Sequence, residues 1–272
     1  MIVPLQKDEA FLADVAAHRE GPSLWWLGQS GFLLMWRGEG LVIDPYLSDS
    51  LTRKYAATDK PHVRMSERVI DPGLLSGIVA ASSSHNHTDH LDAETLNPMR
   101  AANPGMRLVI PEANRAFVAE RLGCESGWPV GLVDGQTAKV GPFLFRGVAS
   151  AHEHPDPSFL GYILEFGCHR IYHPGDCVLY DGLVEKLKPC PADIALLPIN
   201  GSLAERKVAG NMWGREAAWL AKQTGVVLAV PMHYHLFEFN TVEPDEFAQE
   251  CRKLGQNYRV LRLGERLDVP RD

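Results

Sequence analysis

Several things are scarce in this 272-residue chain. Its five cysteines, Cys124, Cys168, Cys177, Cys190 and Cys251, are odd in number and scattered, with no CxxC pair. That excludes a disulfide framework and leads us to expect reduced thiols in the cytoplasm. No apolar run is long enough for a membrane span. The opening MIVPLQKDEAFLADVAAHRE has no basic segment leading into an apolar one, and reads as an amphipathic helix rather than a leader. Positive charge is also short: 27 Lys and Arg against 34 Asp and Glu give a net charge of −7. This argues against a general binder of nucleic acid or membrane surfaces, while leaving room for a local basic patch. There is no GxSxG elbow to expose a serine nucleophile. No linker rich in Pro, Gly or Ser divides the chain and no repeat is evident, so one domain over 1–272 is expected.

What is present alternates between strand-like and helix-like text. SLWWLGQSGFLLMW and GLVIDPY, separated by RGEG, have the residues of a β-hairpin. Leu47 to Arg68 follows as a long polar stretch, and long loops in compact domains are often functional lids. GIVAASSS is a short strand of the buried kind, and DAETLNPMRAAN a helix with Asp92 as its N-cap. Later stretches continue in this way: RLVIPE, then VGLVDGQTAKVGPFLFRGVAS with turns at Asp134-Gly135 and Gly141-Pro142, then GYILEFG with HRIYHPGD. ADIALLPIN and VVLAVPMHYH read as strands, GREAAWLAKQ and PDEFAQECRKLG as helices, and YRVLRLGERLDV as closing strands. Hairpins followed by strand–helix alternation predict an α/β fold, with sheets packed face to face and helices outside.

The chemistry concentrates in SSSHNHTDHLD, where three of the eleven histidines fall between His85 and His90. His85 and His87 are two apart at a strand end, so their rings point the same way and can grip one ion. Asp89 and His90 lie where the chain turns into a helix, and can face a second position beside it. A solvated turn needs no such order, whereas nitrogen and oxygen donors suit a metal. Three more candidate groups end other strands: His152 and His154 in SAHEHP, His173 and Asp176 in YHPGDC, and His233 and His235 in PMHYHL. If those strands end at one edge, their loops meet.

HNHTDH, SAHEH, YHPGD and PMHYH, in this order, resemble the metallo-β-lactamase superfamily of hydrolases over nearly the whole chain. Asp44 in VIDP matches an acidic residue that precedes the first metal motif of that superfamily. The resemblance implies an αββα four-layer sandwich with the site at one edge between the sheets. It also implies two divalent ions, zinc, manganese or iron. One would be held by His85, His87 and His152, the other by Asp89, His90 and His233, with Asp176 between them. His154 and His235 are then left to face substrate or to support the ligands, and His173 to support Asp176. WWLG, the basic insert and the P-x-H strand followed by FEFNTVEPDEF resemble the L-ascorbate-6-phosphate lactonase subfamily. That lactonase lacks a histidine where this chain has His152, so the first site is better furnished here.

These readings imply hydrolysis by a hydroxide held between two metals, with Asp89 orienting it or moving its proton, and a lactone of a small sugar acid, phosphorylated or not, as substrate. The partner is a small molecule. Arg53, Lys54, Lys60, His62, Arg64, Arg206 and Lys207 are candidates to hold an anionic group. AGNMWG reads as a helix start, with Asn211 as cap and backbone amides free for an anion. Asn240 either meets substrate or caps a turn. Cys177 reads as a core thiol. A phosphodiesterase or nuclease on the same two-metal centre is the alternative, opposed by the acidic charge balance. A non-catalytic metal-binding module is another, opposed by donors that are histidine and aspartate rather than closed cysteine sets. Trp25, Trp26 and Trp36 serve either the core or an interface, and a homo-oligomer is compatible with the second use.

Overall fold

A computed structural model describes residues 1–270. The first half runs α1 (Asp8–His18), β1 (Ser23–Gly28), β2 (Gly31–Trp36), β3 (Glu39–Ile43), α2 (Ser50–Tyr55), β4 (Ile78–Ser82), α3 (Ala93–Ala102), β5 (Arg107–Pro111), α4 (Arg115–Leu122) and β6 (Val130–Leu132). The second runs β7 (Thr137–Val140), β8 (Phe143–Ala151), β9 (Pro155–Phe166), β10 (His169–His173), α5 (Leu183–Leu187), β11 (Ile194–Pro198), α6 (Gly214–Thr224), β12 (Leu228–Met232), α7 (Asp245–Leu254) and β13 (Arg266–Asp268). The strands form two sheets, ordered β13-β1-β2-β3-β4-β5-β6 and β12-β11-β10-β9-β8-β7. This is the α/β sandwich of the metallo-β-lactamase fold, with two mixed sheets and helices.

Burial explains the layering. Every residue of β1 and of β11 is buried, so these strands are covered on both faces and read as unbroken apolar runs. By contrast β8 alternates between buried and half-buried positions along its first residues, the mark of a strand with one wetter face. Phe11 of α1 packs edge-on to Trp25 of β1, and α6 packs on β11, β12 and α7. The sheets are tied across their interface where the Tyr162 hydroxyl donates to the Ser83 carbonyl at 3.0 Å. Each large apolar side chain so buried contributes roughly 1.5–3 kcal/mol relative to exposure.

Strand direction decides what the fold can do. β1, β2 and β3 pair antiparallel, while β3, β4, β5 and β6 pair parallel. In the other sheet β8, β9 and β10 are antiparallel, and β10, β11 and β12 parallel. Counting directions, β1, β3 and β4 end at one edge, and β8, β10 and β12 end together in the second sheet. Loops at the carboxyl ends of strands are where open α/β sheets place ligands.

Several local expectations change. The first helix covers only Asp8–His18, not the whole opening stretch. The polar stretch from Leu47 to Arg68 is not a bare loop, since it contains α2 and is tied down by the Ile2 bridge to Ser66. Only Arg266–Asp268 of the closing stretch is a strand. Asn211 does not cap α6, which starts at Gly214 behind Trp213. The Glu216 carboxylate accepts the Trp213 backbone N–H at 2.8 Å instead. The amides of Asn211 and Met212 donate to the carbonyls of Gly201 and Cys177, so these two are committed to the protein rather than to an anion.

Candidate metal centre

The loops at the strand ends converge. Asp44 follows β3, His85 to His90 follow β4, His152 follows β8, Asp176 follows β10 and His233 follows β12. His85, His87, His152 and Asp176 offer ligand atoms all within 4.8 Å of one another, and so do Asp89, His90 and His233. Asp176 lies between the two groups. Its Oδ1 is 3.2 Å from His90 Nε2 and 3.1 Å from His233 Nε2, while its Oδ2 is 3.5 Å from His152 Nε2.

Hydrogen bonds behind the rings aim them inward. Asp44 is fully buried, and its Oδ2 accepts from His90 Nδ1 at 2.7 Å and from the Ser84 hydroxyl. Its Oδ1 accepts the Ser84 backbone N–H at 2.9 Å. With the Ser84 proton directed at Asp44, His85 Nδ1–H donates to Ser84 Oγ, 3.0 Å away. His152 Nδ1–H donates to the Gly210 carbonyl at 2.7 Å. In all three histidines Nδ1 is spent and Nε2 is left as the lone-pair donor, which is how metal-binding imidazoles are oriented. Gly175, at φ +66°, makes room for this network, because a Cβ there would collide with the Ser84 side chain.

The donors fit a cation. His85 Nε2, His90 Nε2 and Asp176 Oδ1 are buried with no hydrogen-bond partner. An unsatisfied buried polar atom costs about 1–3 kcal/mol, so three at one spot call for an occupant that takes lone pairs. Electrostatics agrees. Burial, then the neighbouring His90, hold the His85 pKa well below the ordinary histidine value, so His85 is a neutral donor. Burial opposes charge on His90 too, yet Asp176 and Asp89, with Asp44 on Nδ1, raise its pKa well above that value. For Asp176 burial works against ionisation, but His233 and His90 hold the carboxyl well below the usual range. The carboxylates therefore create a field that favours positive charge.

The remaining sequence candidates fall elsewhere. His154 is exposed and outside both donor groups. His173 is buried with both nitrogens engaged, Nε2–H donating to the Ser30 carbonyl at 2.9 Å and Nδ1 accepting the Gly175 N–H at 3.1 Å. His235 pairs with Glu243 at 2.9 Å. Asn211 Nδ2 donates to Asn200 Oδ1 at 2.9 Å, away from the cleft lining. Asn240 lines the cleft, but its Oδ1 accepts from Asn200 and Arg206. Cys177 is buried in the core.

The basic groups are mostly committed to the protein. Arg53 pairs with Glu94, Lys60 Nζ donates to the Arg206 carbonyl, and Arg64 donates to the carbonyls of Ser66 and Ser48. Arg206 donates to Asn200 and Thr241 carbonyls. His62 is a ring in an aromatic cluster rather than a surface cation: it stacks on Tyr55 at 4.2 Å, and burial lowers its pKa. Lys54 lines the cleft and makes no ion pair among the described residues.

Sequence reasoning passed over Gln29. Its Nε2 donates to Asp89 Oδ2 at 2.9 Å and lies 3.1 Å from His233 Nε2. The available signal was position: Gln29 directly follows β1, whose carboxyl end shares the edge of β3 and β4. Phe159, stacked on His85 at 4.9 Å, was also missed, since it sits inside β9 with no polar mark.

Two mixed sheets with helices, carrying a histidine–aspartate cluster at their shared carboxyl edge, define a metal-dependent hydrolase. A family model described as the beta-lactamase superfamily domain matches residues 41–234, and the chain belongs to that family, the metallo-β-lactamase superfamily. It is similar to UPF0173 metal-dependent hydrolases of Caldivirga maquilingensis, at 27% identity covering 91% of this chain and 98% of that one, and of Rubrobacter xylanophilus, at 29% identity covering 91% and 96%. In fold it resembles Igni18, a metallo hydrolase of Ignicoccus hospitalis, with TM-score 0.66 at 23% identity over 92% of this chain and 99% of that one. No helix among the described residues is long and apolar enough to cross a membrane.

Proposed function

We propose that this hydrolase opens a lactone, with residues 1–272 acting as one domain in the cytoplasm and five free thiols fitting a reducing compartment. Lactones of small sugar acids, phosphorylated or not, are the first compounds suggested by the lactonase-like motifs. The observation that carries the reading is the division of Asp176, one oxygen toward His90 and His233 and the other toward His152. A carboxylate so placed suits two divalent ions, with His85, His87 and His152 holding one and Asp89, His90 and His233 the other. Nitrogen and oxygen donors without sulfur suit zinc, manganese or iron.

Bound ions would supply Lewis acidity at a carbonyl and a water acidic enough to ionise near neutral pH. The side chains do the rest. Gln29 fixes the Asp89 carboxylate at Oδ2, and Asp89 orients the attacking water and accepts its proton. Water oxygen bonds to the carbonyl carbon, the ring C–O bond breaks, and the leaving alkoxide recovers the proton from Asp89. Lys54 at the cleft supports an anionic substituent.

The test is a screen of metal-reconstituted protein on sugar lactones and their phosphates beside bis-p-nitrophenyl phosphate and short RNA. Lactone opening that disappears in His85→Ala and Asp176→Ala is expected. Preference for the phosphodiesters would make the protein a phosphodiesterase or nuclease. Tight metal binding with no turnover of any compound would make it a metal-binding module.

A further inference from the structure

We infer that Phe159 is a positioning residue of the metal centre: its one ring orients His85, His87 and His152 together, and so sets the affinity of the three-histidine position separately from that of its neighbour. This rests on the two-ion reading above and deepens it.

The ring touches all three histidines. It stacks on His85 at 4.9 Å with planes 25° apart, and meets His152 at 5.5 Å and 63° and His87 at 6.1 Å and 83°. Stacked and edge-on pairs are the favoured geometries of flat rings, so each contact restrains a tilt. The three histidines need this support unequally. His85 Nδ1 has Ser84 Oγ at 3.0 Å, and His152 Nδ1 has the Gly210 carbonyl at 2.7 Å. Among the described residues no hydrogen bond reaches a ring nitrogen of His87, which is held by ring contacts with His85, His152 and Phe159 instead. The second donor group is built differently: His90 and His233 stack on each other at 5.9 Å, and Gln29 supports Asp89.

The chain is shaped to put the ring there. The pairing of β9 with β8 shifts register between Ala149 and Ala151, and such irregularities re-aim side chains beside active sites. Leu160 N–H donates to the Ser84 carbonyl at 2.9 Å, and Asn114 Nδ2 donates to the Ser158 carbonyl at 2.8 Å. The backbone is thus pinned on both sides of Phe159, once to the residue that precedes His85. Phe159 also lines a cavity of about 340 Å³ with Val133, Pro155, Pro157 and Leu160, a cavity that none of the three histidines lines. On that side the ring adjoins open space, and no further side chain stands ready to replace it.

Zinc binding to the metal-free full chain, titrated against a chromophoric chelator, tests this in the parent, His85→Ala, Phe159→Leu, Phe159→Met and Phe159→Tyr. His85→Ala identifies the step that belongs to the three-histidine position. Phe159→Leu and Phe159→Met keep apolar bulk without the flat ring, and either is expected to weaken that step by roughly three- to tenfold while the other step stays within about twofold. Phe159→Tyr restores the ring and should restore the step. The visible bands of the cobalt(II)-loaded chain, which follow ligand geometry, should change in Phe159→Leu and match the parent in Phe159→Tyr. Both steps unchanged, or both weakened alike together with the thermal midpoint of the metal-free chain, would overturn the inference, the second result making Phe159 a packing residue only. A parent that takes up fewer than two ions sinks the two-ion reading and this inference with it. A parent that binds two ions, with Phe159→Leu and Phe159→Met indistinguishable from it, sinks the positioning role alone.

Discussion

Gln29, Asp44 and His233 each stand immediately beyond a strand with positive φ, at +50°, +41° and +63°. Side chains in this region cost of order 1–3 kcal/mol each, a strain that persists where the surrounding structure demands it. Here the turn at the strand end swings each side chain into the gap between the sheets. Gln29 then joins Asp89 to His233, two members of one donor group. Groups that orient metal ligands typically matter by 10- to 100-fold in affinity. Gln29→Ala should therefore weaken metal binding by roughly that factor at the position of Asp89 and His233, with the His85 position little changed. Competition titration with a chromophoric chelator reads the two steps, and equal loss at both, or none, would refute this role. Why Gln29 escaped sequence reading is also a residue-scale matter. A glutamine is not a usual metal donor, and its importance comes from a left-handed turn that GQSG permits but does not announce. His85, His87, Asp89 and His90 were legible because four donors in six residues have few other uses.

At the scale of elements, the chain around Gln29 is held by the turn that precedes β13. Gly264 N–H donates to the Trp26 carbonyl at 2.8 Å, and Trp26 N–H donates to the Glu265 carbonyl at 3.2 Å. The Glu265 side chain closes the turn, accepting from Arg259 at 2.6 Å and from the Arg262 backbone at 2.8 Å. Burial disfavours its ionised form, but these donors outweigh it and hold the carboxyl below its ordinary value of 4.5. A depressed folded-state pKa gives stability that is present above the unfolded value and is lost as pH falls through the folded one. Glu265→Gln should thus be less stable than the parent by about 1 kcal/mol at pH 7, since one arginine pair is solvent-screened. The gap should close as the carboxyl protonates below its ordinary value, and urea denaturation across pH reads it. A gap that does not change with pH would show that charge is not what closes the turn. The elements themselves were readable where strand text met buried apolar runs, as in β1, β2 and β11. They were misread where polar residues hid a short helix, as in α2, and where Asn211 looked like a cap although its amide was bound for Gly201.

At the scale of the whole molecule, strand order explains why the site could be foreseen while its shape could not. Five strand-end motifs point to convergence only if their strands run the same way, and the register of the two sheets supplies that condition. The rings that line the cleft, Tyr55, His62, Phe237 and Phe239, come from α2, the chain after it and the segment after β12, which are far apart in sequence, so no local motif marks them. The same long-range construction makes metal a link between distant segments. The donors come from both sheets, and the unfolded chain cannot present them together, so a bound cation stabilises the folded state by mass action. At a free concentration 1,000 times the dissociation constant this amounts to about 4 kcal/mol for one ion. For a chain of this length each kcal/mol moves the thermal midpoint by roughly 2–4 °C, so saturation should raise it by about 8–16 °C over chelator-treated protein. His85→Ala should keep only part of that rise, because the donors around Asp89, His90 and His233 remain. Calorimetry of apo and metal-loaded protein reads both shifts. A midpoint that stays the same between chelator and saturating zinc, manganese and iron would mean that the two donor groups do not act as a metal centre.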